Sequence, residues 1–326
     1  MPVSRRSLLK GALFAGAAAA LAPEEAKARE VKKPSDQAVG LLYDATRCVG
    51  CKGCVIACKD ANDLPWDDPK ELSSSTKSVV QKKSFPPVRS GGEPTRANVK
   101  RQCMHCVDPP CVSACMLGAL HKEGEGKRDM GGEKKGTGIV LYDKALCVGC
   151  RYCQIACAFA VPKFEWFEAV PRIVKCELCR RHADSNATGP TKVANPACAR
   201  TCPAEAVIFG YRTDLLAEAH KRLAEDPEAY SGKVYGESDG GGTGVLYLAP
   251  KDVTFGQLGF PELPEYSNAY LSEKVSHAPY LGGITPLALY AAAAFVVRRN
   301  KAKEAGHHEP TEQKAAPKAD EKRSAK

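Results

Sequence analysis

All sixteen cysteines of the sequence lie between Cys48 and Cys202, in four groups of four. Thiolates grouped in this way can bind iron–sulfur clusters or zinc, form disulfides, or attach haem covalently. The spacing within the groups therefore decides which chemistry to expect. The members are Cys48, Cys51, Cys54 and Cys58; Cys103, Cys106, Cys111 and Cys115; Cys147, Cys150, Cys153 and Cys157; and Cys176, Cys179, Cys198 and Cys202.

The first and third groups have the spacing C-x2-C-x2-C-x3-C. In bacterial ferredoxins this run supplies three thiolates to one 4Fe-4S cluster, while its fourth cysteine binds the other cluster of a pair. Gly50 and Gly149 permit the tight turn that wraps three thiolates around one cluster face. The second and fourth groups keep C-x2-C and C-x3-C around a longer middle gap. We therefore predict four 4Fe-4S clusters, with all sixteen cysteines as ligands.

Three other uses of the cysteines fit less well. Structural zinc sites favour two separated C-x2-C pairs, and C-x2-C-x2-C places thiols too close together for a disulfide framework. Covalent haem requires C-x-x-C-H, and no histidine follows the second cysteine of such a pair. His105 and His182 lie in or beside the second and fourth groups, and we expect them at the surface or beside a cluster rather than as ligands.

No sequence motif indicates a catalytic site. The chain has no nucleophile elbow, no glycine-rich phosphate loop and no paired carboxylates in a recognisable context. A 4Fe-4S cluster with all four thiolate ligands has no open iron position for a substrate. We therefore predict a protein that passes single electrons and is not itself an enzyme.

An internal repeat indicates how the cysteines are positioned. Residues 42–58 match residues 141–157 at an offset of 99, including the Leu-Tyr-Asp that precedes each cysteine run. Such self-similarity predicts a duplicated unit, with a short strand before each run and a short helix after each third cysteine. Further predicted elements are polar loops over 62–99 and 121–137, strands over 206–210 and 245–248, and a helix over 214–225 capped by Thr213.

Both ends of the chain indicate export and membrane attachment. Residues 1–28 contain Arg5-Arg6, a short apolar run and a small-x-small site, which predicts a twin-arginine signal peptide; an ordinary secretory signal is the alternative. Residues 280–297 carry no charge and are followed by Arg298, which predicts a transmembrane helix with its positive end in the cytoplasm. A buried core helix is the alternative there. Residues 298–326 predict a disordered cytoplasmic tail.

The body is predicted over residues 40–250, with a linker over 251–279. The net charge is +9, of which residues 1–28 carry +2 and residues 298–326 carry +4, leaving +3 for the rest. Nucleic-acid binding requires a clustered basic face, so we expect no nucleic-acid partner.

The four cysteine groups and the strand after Cys202 resemble the four-cluster ferredoxin-type β subunits of membrane-bound oxidoreductases, over about residues 40–250. Within that family, residues 100–109 and the Arg298-Arg299-Asn300 that ends the apolar segment resemble the ferredoxin-like subunits of hydrogenase-2 systems. The resemblance implies an α+β fold of two nested two-cluster units with a C-terminal transmembrane helix. One family feature is incomplete, because only Cys202 is followed by proline.

The resemblance also implies which thiols share a cluster. The first and fourth groups would form an outer unit, and the second and third groups an inner unit. The implied ligand sets are Cys48, Cys51, Cys54 with Cys202; Cys176, Cys179, Cys198 with Cys58; Cys103, Cys106, Cys111 with Cys157; and Cys147, Cys150, Cys153 with Cys115.

The implied role is electron relay at the periplasmic face of the inner membrane. The implied partners are the small and large subunits of a nickel–iron hydrogenase and an integral membrane quinone-reactive subunit. The alternative is the same role for a periplasmic formate dehydrogenase or a sulfur-compound or tetrathionate reductase.

Overall fold

The computed structural model describes residues 32–86, 95–124, 136–166, 168, 171–180, 194–269, 272 and 287–306. The predicted signal peptide, His182, the first residues of the predicted membrane segment and the last twenty residues of the chain lie outside this range.

Nine short strands and six α-helices form the described part of the chain. The strands are β1 Val39–Asp44, β2 Val79–Phe85, β3 Thr95–Arg101, β4 Leu120–Lys122, β5 Val140–Tyr142, β6 Lys163–Phe164, β7 Ile173–Val174, β8 Val207–Tyr211 and β9 Val245–Leu248. The helices are α1 Gly53–Asp60, α2 Pro110–Ser113, α3 Tyr152–Ala156, α4 Ala197–Arg200, α5 Arg212–Glu225 and α6 Leu287–Gly306. This mixed content confirms the predicted strands before the two cysteine runs, after Cys202 and over 245–248.

β1 is the centre of a three-stranded sheet, with β8 antiparallel on one side and β9 parallel on the other. All six residues of β1 are buried, as expected of a strand covered on both faces. Leu42 packs under α5 in one cluster, whereas Leu41 and Tyr43 face the main core. The pairing of β1 with β8 joins the start of the body to the chain just after Cys202.

Residues 62–99 are not the single polar loop that we predicted. They contain β2 and the start of β3, which form an antiparallel hairpin with Val79 opposite Arg101 and Phe85 opposite Thr95. Val80, Ala97 and Val99 are buried in the main core. The alternation was obscured because the exposed positions carry Lys82, Ser84 and Arg96, while a further lysine, Lys100, is buried.

The short helices pack in two pairs, α1 against α4 and α2 against α3. The first pair joins the first and fourth cysteine groups, and the second pair joins the second and third groups. This is the grouping expected for two nested two-cluster units. α5 begins at Arg212, and Tyr211 takes the N-cap position without a side-chain cap. The predicted capping role of Thr213 is therefore wrong, because Thr213 already lies inside the helix.

The C-terminal helix α6 differs from the predicted anchor and tail. Among the described residues, no helix is both long and apolar enough to cross a bilayer. Residues 298–306 continue α6 and are helical rather than disordered. Asn300 is buried and donates a hydrogen bond to the carbonyl of Cys147 at 3.1 Å, so this part of the predicted cytoplasmic tail lies against the body.

Candidate iron–sulfur sites

The two cysteine runs have the same local backbone. Gly50 and Gly149 have φ angles of +73° and +75°, and each is followed two residues later by a left-handed residue, Lys52 or Arg151, at the N-cap of a helix. A Cβ on Gly50 would lie 2.5 Å from the Asn98 side chain. These values confirm that the runs require glycine at the predicted turn.

The first quartet combines the first run with the end of the fourth group. Burial is the largest cause that raises the pKa of the Cys54 thiol, and the neighbouring thiols that raise it further are Cys48, Cys202 and Cys51. Together these four thiols line an empty space of about 350 Å³, which Tyr43, Val80 and Val207 also border. The β1–β8 pairing explains how residues 154 positions apart in the chain reach one site.

The second quartet lies deeper in the same unit. The pKa of the Cys58 thiol is raised by burial first, and then by the thiols Cys176, Cys198 and Cys179. These four side chains line an empty space of about 320 Å³. Cys58 projects from α1 and Cys198 from α4, so the packing of these two helices supplies the quartet.

The third quartet has two buried thiols, Cys103 and Cys111, and two half-buried ones, Cys106 and Cys157. Burial raises the pKa of the Cys111 thiol most, and the thiols that raise it further are Cys157, Cys103 and Cys106. Three of these, Cys106, Cys111 and Cys157, line an empty space of about 450 Å³. The third cysteine run thus sends its last thiol to the second group, as the ferredoxin pattern predicts.

The fourth quartet mirrors the third. Burial raises the pKa of the Cys153 thiol most, and the neighbouring thiols that raise it further are Cys115, Cys150 and Cys147. Because α2 packs against α3, Cys115 lies just beyond one helix while Cys153 lies within the other. All four cysteine combinations implied by the family resemblance are therefore close neighbours.

The quartets follow one another in a series. The Cys54 thiol of the first quartet raises the pKa of Cys198 in the second, and the Cys176 thiol of the second raises the pKa of Cys103 in the third. The third and fourth quartets meet where α2, which carries Cys111, packs against α3, which carries Cys153. Among the sixteen cysteines only Cys51 and Cys150 are exposed. These two belong to the first and fourth quartets, so the thiols reach solvent at the two ends of the series.

The buried surroundings fit a cluster with sulfur acceptors. Gln102 lines the space beside the second quartet, is 3% exposed, and its amide nitrogen and oxygen have no hydrogen-bond partner. A buried amide without a partner is costly, whereas a cluster sulfur would accept its N–H. All sixteen cysteines are free thiols. Within the described residues, no set of three or more His, Cys, Asp or Glu is arranged to hold a single metal ion.

The ferredoxin pattern has proline after the last cysteine of a run, and the structure explains why Lys59 stands there after Cys58. Cys58 and Lys59 lie inside α1, where a proline would remove a helical hydrogen bond. The Lys59 ammonium forms an ion pair with Asp67 at 2.7 Å and donates to the carbonyls of Pro65 and Ser75. Lysine thus ties the following loop to the cysteine helix.

His105 is buried rather than at the surface, with 2% of its area exposed. Its Nδ1 accepts a hydrogen bond from the Val140 amide at 3.1 Å, while its Nε2 is buried without a partner. Burial holds its pKa well below the usual value, with the charges of Lys175 and Lys122 adding to the effect. Sequence reasoning did not single out Lys100, Gln102 or Lys175, whose only signal is proximity to cysteines.

Comparisons with known proteins agree with this geometry. Residues 96–212 match the family described as a 4Fe-4S dicluster domain. The chain is 37% identical to the hydrogenase-2 operon protein HybA of Escherichia coli O157:H7, over 94% of this chain and 98% of that protein.

Two more distant relatives come from Escherichia coli K12. The iron–sulfur subunit of formate dehydrogenase-O is 32% identical over 79% of this chain and 82% of its own length. The iron–sulfur subunit of the nitrate-inducible formate dehydrogenase is 32% identical over 64% and 67%. The sixteen grouped thiols and these similarities lead to one assignment: the chain binds 4Fe-4S clusters and belongs to the HybA family of iron–sulfur proteins.

Proposed function

We propose that this chain is a non-catalytic electron-transfer subunit that relays electrons through four 4Fe-4S clusters. The observation that carries the proposal is the series of four cysteine quartets with one exposed thiol at each end. Sixteen thiolates supply four clusters completely, which leaves no iron position for a substrate.

The proposed ligand sets are the four quartets described above. Bound clusters supply one-electron oxidation and reduction. The protein contributes burial, which keeps water away from the two middle quartets, and fixed amides such as that of Gln102. Because the two groups of the inner unit lie between the two groups of the outer unit along the chain, we propose a nested pair of two-cluster units as the architecture.

The proposed partners are the subunits of a nickel–iron hydrogenase and an integral membrane quinone-reactive protein. Support comes from the 37% identity to a hydrogenase-2 operon protein across nearly the whole of both chains. The formate dehydrogenase subunits, at 32% identity, support the same relay for a formate dehydrogenase as the second candidate.

We further propose that the chain works at the periplasmic face of the inner membrane after twin-arginine export. Arg5-Arg6 and the apolar run that follows support the export route. The uncharged segment 280–297 supports membrane association. Fractionation of membranes at low salt tests this: the full chain should sediment with the membranes, and a variant truncated before residue 280 should be released into the periplasmic fraction.

Metal and sulfide analysis tests the cluster content. Anaerobically purified protein should contain about sixteen iron and about sixteen acid-labile sulfide per chain, as four 4Fe-4S clusters require. Stoichiometric zinc without sulfide would contradict the proposal. A pull-down in mild detergent then identifies the partner, since a nickel-containing partner supports the hydrogenase and a molybdenum-containing partner supports the formate dehydrogenase.

A further inference from the structure

A buried lysine lies between the first two quartets. The Lys100 side chain, on β3, is 1% exposed and lines the space of the second quartet together with Cys58, Cys176 and Cys198. Val80, which lies opposite Lys100 in the β2–β3 hairpin, lines the space of the first quartet. Its ammonium is thus close to both sites of the outer unit.

No carboxylate among the described residues forms an ion pair with Lys100. Its Nζ donates to the Ser78 hydroxyl at 2.8 Å, a neutral partner. Lys59, which is also buried beside this quartet, differs because Asp67 balances its charge at 2.7 Å. A buried cation is costly unless negative charge compensates it, and at Lys100 that charge would come from the thiolates and sulfides of bound clusters.

We propose that Lys100 is a tuning residue whose buried positive charge raises the reduction potentials of the clusters held by the first and second quartets. The inference rests on the proposed function, since it requires those clusters. Reduction adds negative charge to a cluster, and a fixed cation in a medium of low dielectric constant stabilises the reduced form. Exposed cations act weakly by comparison because water and salt screen them.

Lys175 has a matching position at the next junction. It is 3% exposed, and its Nζ donates to the carbonyl of Cys176, in the second quartet, at 3.0 Å. It also lowers the pKa of the Cys103 thiol of the third quartet, although burial raises that pKa overall. A buried lysine therefore lies near each junction of the second quartet: Lys100 where it meets the first quartet, and Lys175 where it meets the third.

The test is an anaerobic redox titration of the full chain, followed by EPR, with Lys100→Met compared with wild type. We expect two of the four cluster transitions to move to more negative potentials and the other two to stay in place. Lys175→Met should move the transitions of the second and third quartets, so the two variants have the second-quartet transition in common. Lys82→Met, which removes an exposed charge from the same hairpin, should move none.

Two results would overturn the proposal. One is four unchanged transitions in Lys100→Met with its iron and sulfide intact; the other is an equal shift in Lys82→Met. Should Lys100→Met lose its clusters, Lys100→Gln and Lys100→Arg decide the question. If the arginine variant alone keeps its clusters at wild-type potentials, the site requires a positive charge and the proposal is supported. If both variants lose their clusters, the site requires the shape of the lysine side chain and the proposal fails.

The iron and sulfide content of the wild type separates this inference from the proposed function. A wild type without clusters refutes the proposed function, and the tuning role with it. A wild type with four clusters whose potentials are independent of Lys100 refutes the tuning role alone.

Discussion

The same carbonyl of the two cysteine runs is held by amides from unrelated parts of the chain. In the outer unit, the Asn98 side chain donates to the carbonyl of Cys48 at 2.6 Å from the β2–β3 hairpin. In the inner unit, Asn300 donates to the equivalent carbonyl of Cys147 at 3.1 Å from the C-terminal helix α6. The repeat therefore covers the cysteine loop alone, and a different segment of the chain supports the loop in each unit.

The aspartates that precede the two cysteine runs also differ in their surroundings. Asp44 is fully buried, and its carboxylate accepts hydrogen bonds from Arg222 at 3.0 Å and from Tyr230 at 2.9 Å. Asp143, its equivalent, is partly exposed and accepts from the Ala145 amide at 2.9 Å. Both aspartates begin a turn, since Asp44 also accepts from the Thr46 amide at 2.9 Å. In the outer unit the aspartate in addition fastens α5 over the sheet through Arg222.

The largest expected effect comes from Arg222→Met. The change leaves the buried Asp44 carboxylate with the longer ion pair to Arg47, at 3.7 Å, and removing one partner of a buried ion pair costs up to about 3–5 kcal/mol. Thermal unfolding of the cluster-loaded chain, followed by visible absorbance, should show a large drop in midpoint. Asp143→Ala is the matched control in the inner unit, with a loss of about 1 kcal/mol, typical of a lost cap. Equal losses would show that the two aspartates have equivalent roles.

Alanine at the glycine turns should have an intermediate effect. Both positions have positive φ, which costs about 1–2 kcal/mol for a residue with a Cβ. Gly149→Ala should be the more damaging change, because the new Cβ would lie 2.8 Å from the main-chain oxygen of Pro171, whereas at Gly50 it meets the Asn98 side chain, which can rotate. Iron content after mild heating measures the difference. A greater loss in Gly50→Ala would contradict this ranking.

Removing the supporting amides should have the smallest effect. Asn98→Ala and Asn300→Ala each remove one hydrogen bond to a carbonyl, at a cost of about 0.5–1.5 kcal/mol where water reaches the freed carbonyl. We expect Asn98→Ala to accelerate cluster loss to a chelator more, since its hydrogen bond is shorter. If Asn300→Ala had no effect at all, α6 would not support the inner unit.

The parts of the structure that sequence predicted are those set by local chemistry. Glycine at 50 and 149 and the strands before each run followed from spacing, whereas the four ligand sets stay a prediction from the resemblance. The β2–β3 hairpin was not predicted, because charged residues interrupt the apolar alternation of both strands. The core contacts of Val80 and Val99 identify the strands only in the structure. Lys100 and Asn300 escaped detection because their roles depend on partners far away in the chain.

The most direct test of the account is the EPR spectrum of the fully reduced, anaerobic chain with its spins integrated. Four neighbouring clusters predict about four spins per chain, with lines broadened by coupling between adjacent clusters. A spectrum without signal, or one that integrates to far fewer spins in a protein with full iron content, would contradict the series of four clusters.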